Sequence, residues 1–334
     1  MKKISIPVFK LKFKEALHIS DVRLDYGTTE KLYHSDALSA ALIAVNARWG
    51  KQIPPNGQLP CTVSSLFPFW EQSPEDTTYY LPKPLIRLKN TDSGIAKKLK
   101  KLQWVDAHFF QLISNNSDLG EIEALINGAY LNRGETAENL MYLQTIPRVQ
   151  VSRNEIDTTQ IFYMQMMRFS ENAGLYFMAS GETEGLRWLK ESLRMLGLEG
   201  MGTDRNVGNG HFTYEESELE LELPETGNAM TNLSLFCPES YDQLQAMLHH
   251  QGSTDLIKRG GWVTSDEGLG IRKQPIYFFK EGSIFKNMAQ QEDMPYTFGQ
   301  STIDLTPSTL PNGRSLSHKI FRHGRSLFLP INLV

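Results

Sequence analysis

The sequence predicts an α+β protein of two units, each an antiparallel sheet with helices on one face. Three observations carry this. The chain has 334 residues, which at about 150 residues per domain means two domains or one large one. Glu218-Leu219-Glu220-Leu221-Glu222-Leu223 alternates strictly, as a strand does when one face is acidic and solvated and the other apolar and inward. Leu186, Leu189, Leu193 and Leu196 recur at three- and four-residue spacing, the stripe of an amphipathic helix. The division is placed at residue 155, giving units over residues 1–155 and 156–334.

The elements follow in order. Ile4, Ile6, Val8, Leu11 and Phe13 predict a half-buried first strand with a phase slip near Pro7. Residues 14–33 have no clear period and read as loop. Ser35 or Asp36 is placed to cap an Ala-rich helix through Leu38, Ala41, Leu42 and Val45. Pro82 and Pro84 stiffen the approach to Lys83–Lys101, where seven basic residues meet one acid, Asp92; this reads as a solvated loop leading to a helix. Tyr130 to Asp157 is polar and reads as loop, or as an element ordered by a partner. Ile161 to Phe177, with Asn172-Ala173-Gly174 as a turn, reads as a hairpin. The leucine-striped helix of residues 181–196 should stop at Gly197. Asn232 to Cys237 is a further short strand.

Composition bounds the function. Lys and Arg number 34 and Asp and Glu 38, for a net charge of −4, which excludes a uniformly basic nucleic-acid binder but not local basic surfaces. Five lysines precede the first acid, Glu15, and six acids gather between Glu215 and Glu225. With the basic run Lys83–Lys101, this predicts a divided surface, with local basic regions and acidic faces left for solvent or for basic partners. Two isolated cysteines, Cys61 and Cys237, point to buried thiols in a reducing compartment. The apolar stretches fall short of the roughly 18 residues of a membrane span, and Lys10, Lys12 and Lys14 interrupt any signal-peptide core. A cytoplasmic protein without membrane contact is expected.

Gly200 to Gly210 is the sharpest local signal. Glycines 200, 202, 208 and 210 allow positive φ and close approach, and Arg205 offers a two-pronged anion anchor. The loop follows a helix and precedes a strand, the wrong order for a dinucleotide fingerprint, and it lacks the Lys of a P-loop. A cradle for a polynucleotide backbone and a plain tight connection both fit. Asp204 is expected to bond loop amides and hold Arg205. Lys258-Arg259-Gly260-Gly261-Trp262 sets basic residues beside an aromatic, for phosphate contact and base stacking or for a core. His18 is a structural histidine or an RNA contact. The eight histidines form no zinc pattern.

Several segments, taken in order, resemble the RAMP superfamily of CRISPR proteins and, within it, the fourth subunit of the type III-A (Csm) effector. They are His34 to Ala41, Ser64 to Phe69 with Leu81 to Pro84, and Pro147 to Arg153. Gly200 to Phe212 follows, with Gly202, Arg205, Gly208, Gly210 and Phe212 in the superfamily's Gly-rich places. Asn206 stands where Ser is usual and Asn209 where an aromatic or basic residue is frequent. Lys258 to Val263, Gly282 to Phe285 and His323 to Pro330 complete the set. The resemblance implies two ferredoxin-like (RRM-like) domains with antiparallel sheets and long inserted loops. It implies a subunit without catalytic residue, metal or cofactor that binds the 5′ repeat-derived tag of the guide RNA (crRNA). It also implies docking against the large polymerase/nuclease subunit and the repeated RAMP backbone subunit, whose own Asp cleaves target RNA; target RNA is met indirectly.

The RNA-binding set expected on these grounds is Gly200, Gly202, Arg205, Asn206, Gly208, Asn209 and Gly210, with Arg148 and Arg153 on a protruding loop that kinks or separates the RNA. His18, Lys258, Arg259 and Trp262 complete it. Phosphates would sit on the amides of Gly202, Gly208 and Gly210. Two rivals are a metal-independent guide-processing endoribonuclease, with His18 or His34 as base, and a protein scaffold without RNA contact.

Overall fold

In the computed structural model of the chain, which describes residues 1–20, 27–73, 76–88, 95–134, 140–151, 159–248, 252–263, 271–289, 293–307 and 316–333, the first strand runs unbroken over Lys2–Phe13 (β1). It is followed by α1 (Ser35–Arg48), β2 (Cys61–Val63), β3 (Phe67–Ser73) and β4 (Asp76–Pro82), then α2 (Ala96–Lys101), β5 (Trp104–Asp106) and α3 (Ala107–Ser114). Two short strands, β6 (Ile126–Asn127) and β7 (Tyr130–Leu131), lead to the long β8 (Met141–Gln150) and β9 (Gln160–Phe169). β10 (Ala173–Gly181), α4 (Thr183–Glu199) and β11 (Phe212–Leu223) complete this part. The main sheet has nine strands in the order β11-β1-β10-β3-β4-β5-β7-β6, with β2 also on β10. Its pairs are antiparallel except β5 with β7.

The architecture is mixed α+β, as expected, but the strands do not part at residue 155. Both partners of β1, β10 and β11, lie beyond that residue. The hydrophobic demand of β1 explains this. Phe9 and Leu11 pack under α1 and α4 with Leu38, Leu42, Leu189, Leu193 and Leu196. Ile4, Ile6 and Val8 pack on the opposite face with Leu219, Leu221, Leu223 and Phe110. A strand buried on both faces needs a neighbour on each edge. Pro7 is accommodated because β1 pairs with β10 only from Val8 onward.

The basic first strand faces acid rather than an open groove. Lys10 lies opposite Glu215 and Lys3 opposite Glu222 in the β1–β11 register. Lys10 is buried, in contact with Glu71 and 3.2 Å from Glu215, and Lys12 bridges the same two carboxylates at 2.7 and 2.9 Å. Lys3 pairs with Glu220 at 2.9 Å. The expected division of basic from acidic surface is corrected for the first strand: Lys3, Lys10 and Lys12 are paired with acids, all three with β11 and Lys10 and Lys12 also with Glu71.

Local readings are corrected in the same way. Residues 141–150 form β8, not loop, and β9 pairs with β8 over its whole length instead of folding back on β10. The left-handed Asn172 does turn the chain. α4 passes through Gly197 and ends at Gly200; a Cβ on Gly197 would lie 2.6 Å from the Phe212 carbonyl oxygen, so this glycine serves helix–strand packing. The N-cap of α1 is His34, whose side chain makes no capping hydrogen bond.

The remaining chain forms β12 (Ala229–Asn232), α5 (Tyr241–Met247), β13 (Leu256–Arg259), β14 (Ile276–Phe279) and β15 (Ile284–Lys286). β16 (Tyr296–Phe298), β17 (Ile303–Asp304), β18 (Phe321–Arg322) and β19 (Ser326–Ile331) follow. A four-stranded sheet has the order β15-β12-β19-β16, and β13-β14 and β17-β18 are separate ribbons. Leu233, Leu327 and Leu329 enter the core of the main sheet, which joins the two parts. Among the described residues no helix is long and apolar enough to cross a membrane.

Candidate nucleic-acid interface

The segment Ala16–His18 is a strut with a different partner on each edge. Leu17 exchanges both backbone hydrogen bonds with Met167 of β9, at 2.8 and 2.7 Å. On the other edge the Ala16 carbonyl accepts from Gly210 N–H at 2.9 Å, and the His18 carbonyl from Thr203 N–H at 3.0 Å. The β8–β9 ribbon and the Gly-rich loop are thus clamped to one another through three residues. His18 is wholly buried, with Nδ1 2.7 Å from the Gln165 carbonyl oxygen. Of its two expected roles it holds the structural one.

The loop itself is a tight connection. Gly200, Gly202, Gly208 and Gly210 have φ of 80, 78, 91 and 73°, and Asp204 joins them at 65°. A Cβ on Gly210 would strike the Met201 carbonyl oxygen, so close backbone approach demands glycine there. The three amides expected to hold phosphates are engaged within the chain. Gly210 N–H bonds Ala16, Gly208 N–H bonds the Arg205 carbonyl at 3.0 Å, and Gly202 N–H bonds the Tyr33 hydroxyl. What the loop turns outward is the short helical turn Arg205–Val207, with Asn206 and Val207 exposed and the Arg205 side chain 38% exposed.

Asp204 holds a different arginine from the one expected. Its Oδ2 accepts from Arg148 Nη2 at 2.7 Å and from Asn209 Nδ2 at 2.8 Å, so the ribbon is tied to the loop a second time. Arg205 instead stands 3.9 Å from Glu199. Burial works to raise the Glu199 pKa, but bonds from Arg48 and Trp49, with the Arg48 and Arg205 charges, hold it below the ordinary value. Along the ribbon Tyr142, Leu143, Val149, Val151, Ile161 and Tyr163 are exposed. This exposed surface is missed in the sequence because residues 130–157 read as loop or a partner-ordered element and residues 161–177 as a hairpin closed on itself. Arg153 lies outside the described residues.

The Lys258–Trp262 segment divides. Arg259 is buried, with Nε and Nη2 each 3.2 Å from the Asp36 carboxylate and Nη1 3.4 Å from Glu30. Arg322 binds the same Asp36 and donates to the Gly260 carbonyl at 2.5 Å. Asp36 is therefore a buried anion shared by two arginines rather than a cap, and the Arg259 side chain is buried against it. Burial works to raise the Asp36 pKa, yet the Arg322 and Arg259 guanidiniums outweigh it and hold the carboxyl well below the usual range. Lys258 stays exposed, 5.9 Å above the Tyr277 ring, and Arg272 stacks 4.9 Å from the half-buried Trp262. Tyr33 links this cluster to the loop: burial, then Asp36, raises its hydroxyl pKa to about 12, while Arg205, Gly202 and Arg259 pull it down.

Residues 225–331 match the family model of the CRISPR Csm4 C-terminal domain. The chain is 29% identical over 238 residues to the "CRISPR system Cms protein Csm4" of Thermococcus onnurineus, covering 67% of this chain and 70% of that protein. The protein of the same name from Mycobacterium tuberculosis is 26% identical over 330 residues, 97% of each chain. In fold, the chain is similar to one in a crystal structure of a Csm3–Csm4 subcomplex of the type III-A CRISPR-Cas interference complex. The TM-score is 0.60 at 19% identity, covering 99% of this chain and 100% of that one. It is likewise similar to one in a Csm1–Csm4 cassette in complex with pppApA, with a TM-score of 0.58 at 20% identity and 99% of each chain covered. Sequence and fold matches agree along the whole length of the chain, and both are to proteins of CRISPR systems. Among these, the chain is similar to the Csm4 proteins, whose C-terminal family model its residues 225–331 match.

Proposed function

We propose that the chain is an RNA-binding, non-catalytic subunit of a type III-A CRISPR effector complex. It holds the 5′ repeat-derived tag of the crRNA and links the large polymerase/nuclease subunit to the repeated RAMP backbone subunit. The observation that carries this is the double tie between the Gly-rich loop and the β8–β9 ribbon, through Ala16–His18 and Arg148–Asp204. It fixes a cationic turn against a projecting strand pair with exposed aromatic and aliphatic side chains. Phosphates then meet Arg205, Asn206 and the solvent side of the loop, while Lys258, Trp262 and Tyr277 offer charge and rings for a splayed base. The partner reading is supported by the Csm1–Csm4 and Csm3–Csm4 structures to which the chain is similar. We further infer a ferredoxin-like unit from β1, α1, β3, β10, α4 and β11, whose spatial strand order β11-β1-β10-β3 fits that topology.

Filter binding with a 5′-tag RNA tests the reading. Arg205→Ala should weaken binding evenly across tag sequences and lower the salt slope by about one. Unchanged affinity would remove the anchor. Against the endoribonuclease rival stand His18 and His34, both buried and bonded, His34 Nδ1 lying 2.8 Å from Glu281. Metal-free cleavage of repeat RNA by the isolated chain would restore that rival. A crosslinking map without RNA adducts in residues 200–212 would favour the scaffold.

A further inference from the structure

β11 is the outer edge of the nine-stranded sheet and pairs with β1 alone. Three observations fix which of its residues turn their backbone outward. Glu222 N–H donates to Gln111 Oε1 at 2.6 Å, and the Glu222 carbonyl accepts from Asn115 Nδ2 at 2.9 Å; both partners belong to α3, away from β1. Pro7, which has no N–H, lies opposite Glu218, the place of an antiparallel pair that exchanges no bonds. The Phe212 carbonyl packs against Gly197 of α4. The even-numbered residues therefore present N–H and C=O to the outside. Helix α3 closes this edge at Glu222 and α4 closes it at Phe212. Between them Tyr214, Glu216, Glu218 and Glu220 have no backbone hydrogen-bond partner on that edge among the described residues.

An open edge of this length is a template for one more strand. The side chains choose which. Glu216, Glu218, Glu220 and Glu222 share one face, where Lys3 and Lys190 supply the ion pairs, at 2.9 Å to Glu220 and 2.7 Å to Glu216. A second copy of β11 laid antiparallel on this edge would set carboxylate beside carboxylate, which is destabilising. A strand with cations at alternate positions relieves the same face. A groove of about 650 Å³ at the α4 end, lined by Leu193, Leu198, Phe212 and Tyr214, gives room for an apolar residue.

We propose that the free edge of β11 docks an extended segment of a partner protein, with lysine or arginine at alternate residues, as an added strand. The proposal does not depend on the RNA reading. The test uses the full chain and a synthetic peptide of about eight residues alternating lysine and threonine, long enough to span the open edge at about 3.3 Å per residue. Fluorescence anisotropy should show saturable binding, and hydrogen exchange should slow at Tyr214, Glu216, Glu218 and Glu220. The same peptide N-methylated at alternate residues, or with glutamate for lysine, should bind about tenfold more weakly or worse. Glu218→Pro, whose lost N–H faces solvent, should abolish binding while leaving the far-ultraviolet spectrum and tag-RNA affinity unchanged. The pair Glu216→Lys and Glu218→Lys, which keeps the backbone intact, should turn the preference to the glutamate peptide. Absent saturable binding, equal binding of the methylated peptide, or protection elsewhere would each overturn the proposal.

Discussion

Gly208 and Gly210 share a left-handed backbone, with φ of 91 and 73°, but for different reasons. Nothing lies within 4 Å of a Cβ built on Gly208, whereas one on Gly210 meets the Met201 backbone. Gly208→Ala should therefore cost about 1–2 kcal/mol, the ordinary left-handed penalty. Gly210→Ala should cost more and disturb the bond to Ala16. Urea unfolding of the two variants decides it, and equal losses would show that the Met201 approach is unimportant. Asp36 is a second such residue. Asp36→Asn leaves the buried Arg322 guanidinium without its anion and Arg259 with Glu30 alone, and should cost about 3–5 kcal/mol. The depressed carboxyl also sets a pH dependence. Its contribution is complete above the ordinary carboxylate range and is lost as pH falls through that range toward the folded pKa. Stability measured between pH 6 and 3 should fall less steeply in Asp36→Asn than in the parent. The sequence offered Asp36 as a cap because it stands at a helix start. Its real partners are 223 and 286 positions away, a distance no local pattern spans.

At the scale of elements, legibility followed burial. The leucine stripe of α4 and the alternation of β11 were readable because each has one wet and one dry face. The β8–β9 ribbon was not: most of β8 is exposed on both faces, so alternation of burial is absent, and Tyr142, Leu143 and Val149 face solvent. Its far end is held by the Arg148–Asp204 ion pair, and β9 by the Ala16–His18 strut, the Arg168–Glu15 pair and the burial of Met164, Met166 and Met167. Asp204→Asn should loosen the Arg148 end while sparing the strut. Faster amide exchange in residues 141–150 with unchanged exchange in β10, together with weaker tag-RNA binding, is the expected outcome. Unaltered exchange would place the hold in the contacts of β9 alone. Of the Gly-rich loop, the sequence showed the need for glycine and for Arg205. It could not show that the amides of Gly202, Gly208 and Gly210 turn inward, because that depends on Tyr33 and Ala16 lying beneath.

Across the whole molecule, the sheet order links strands from Lys2 to Leu223 in one continuous sheet, with Leu327 and Leu329 of the last strand in the same core. A fragment of residues 1–155 should consequently fail to fold, since β1 would lack both of its neighbours. Circular dichroism and gel filtration of that fragment check this, and a cooperative unfolding transition in it would contradict the strand order. The pairing of β1 also has a temporal side. At about 5–20 residues per second, on the order of ten seconds or more separates emergence of β1 from that of β10, whose first residue is Ala173. During that interval a two-faced apolar strand waits without a partner. Its lysines, neutralised in the finished sheet, are charged and solvated in the meantime. The same lysines that the ladder neutralises at the end of folding should hold the nascent strand apart from its neighbours on other ribosomes before then.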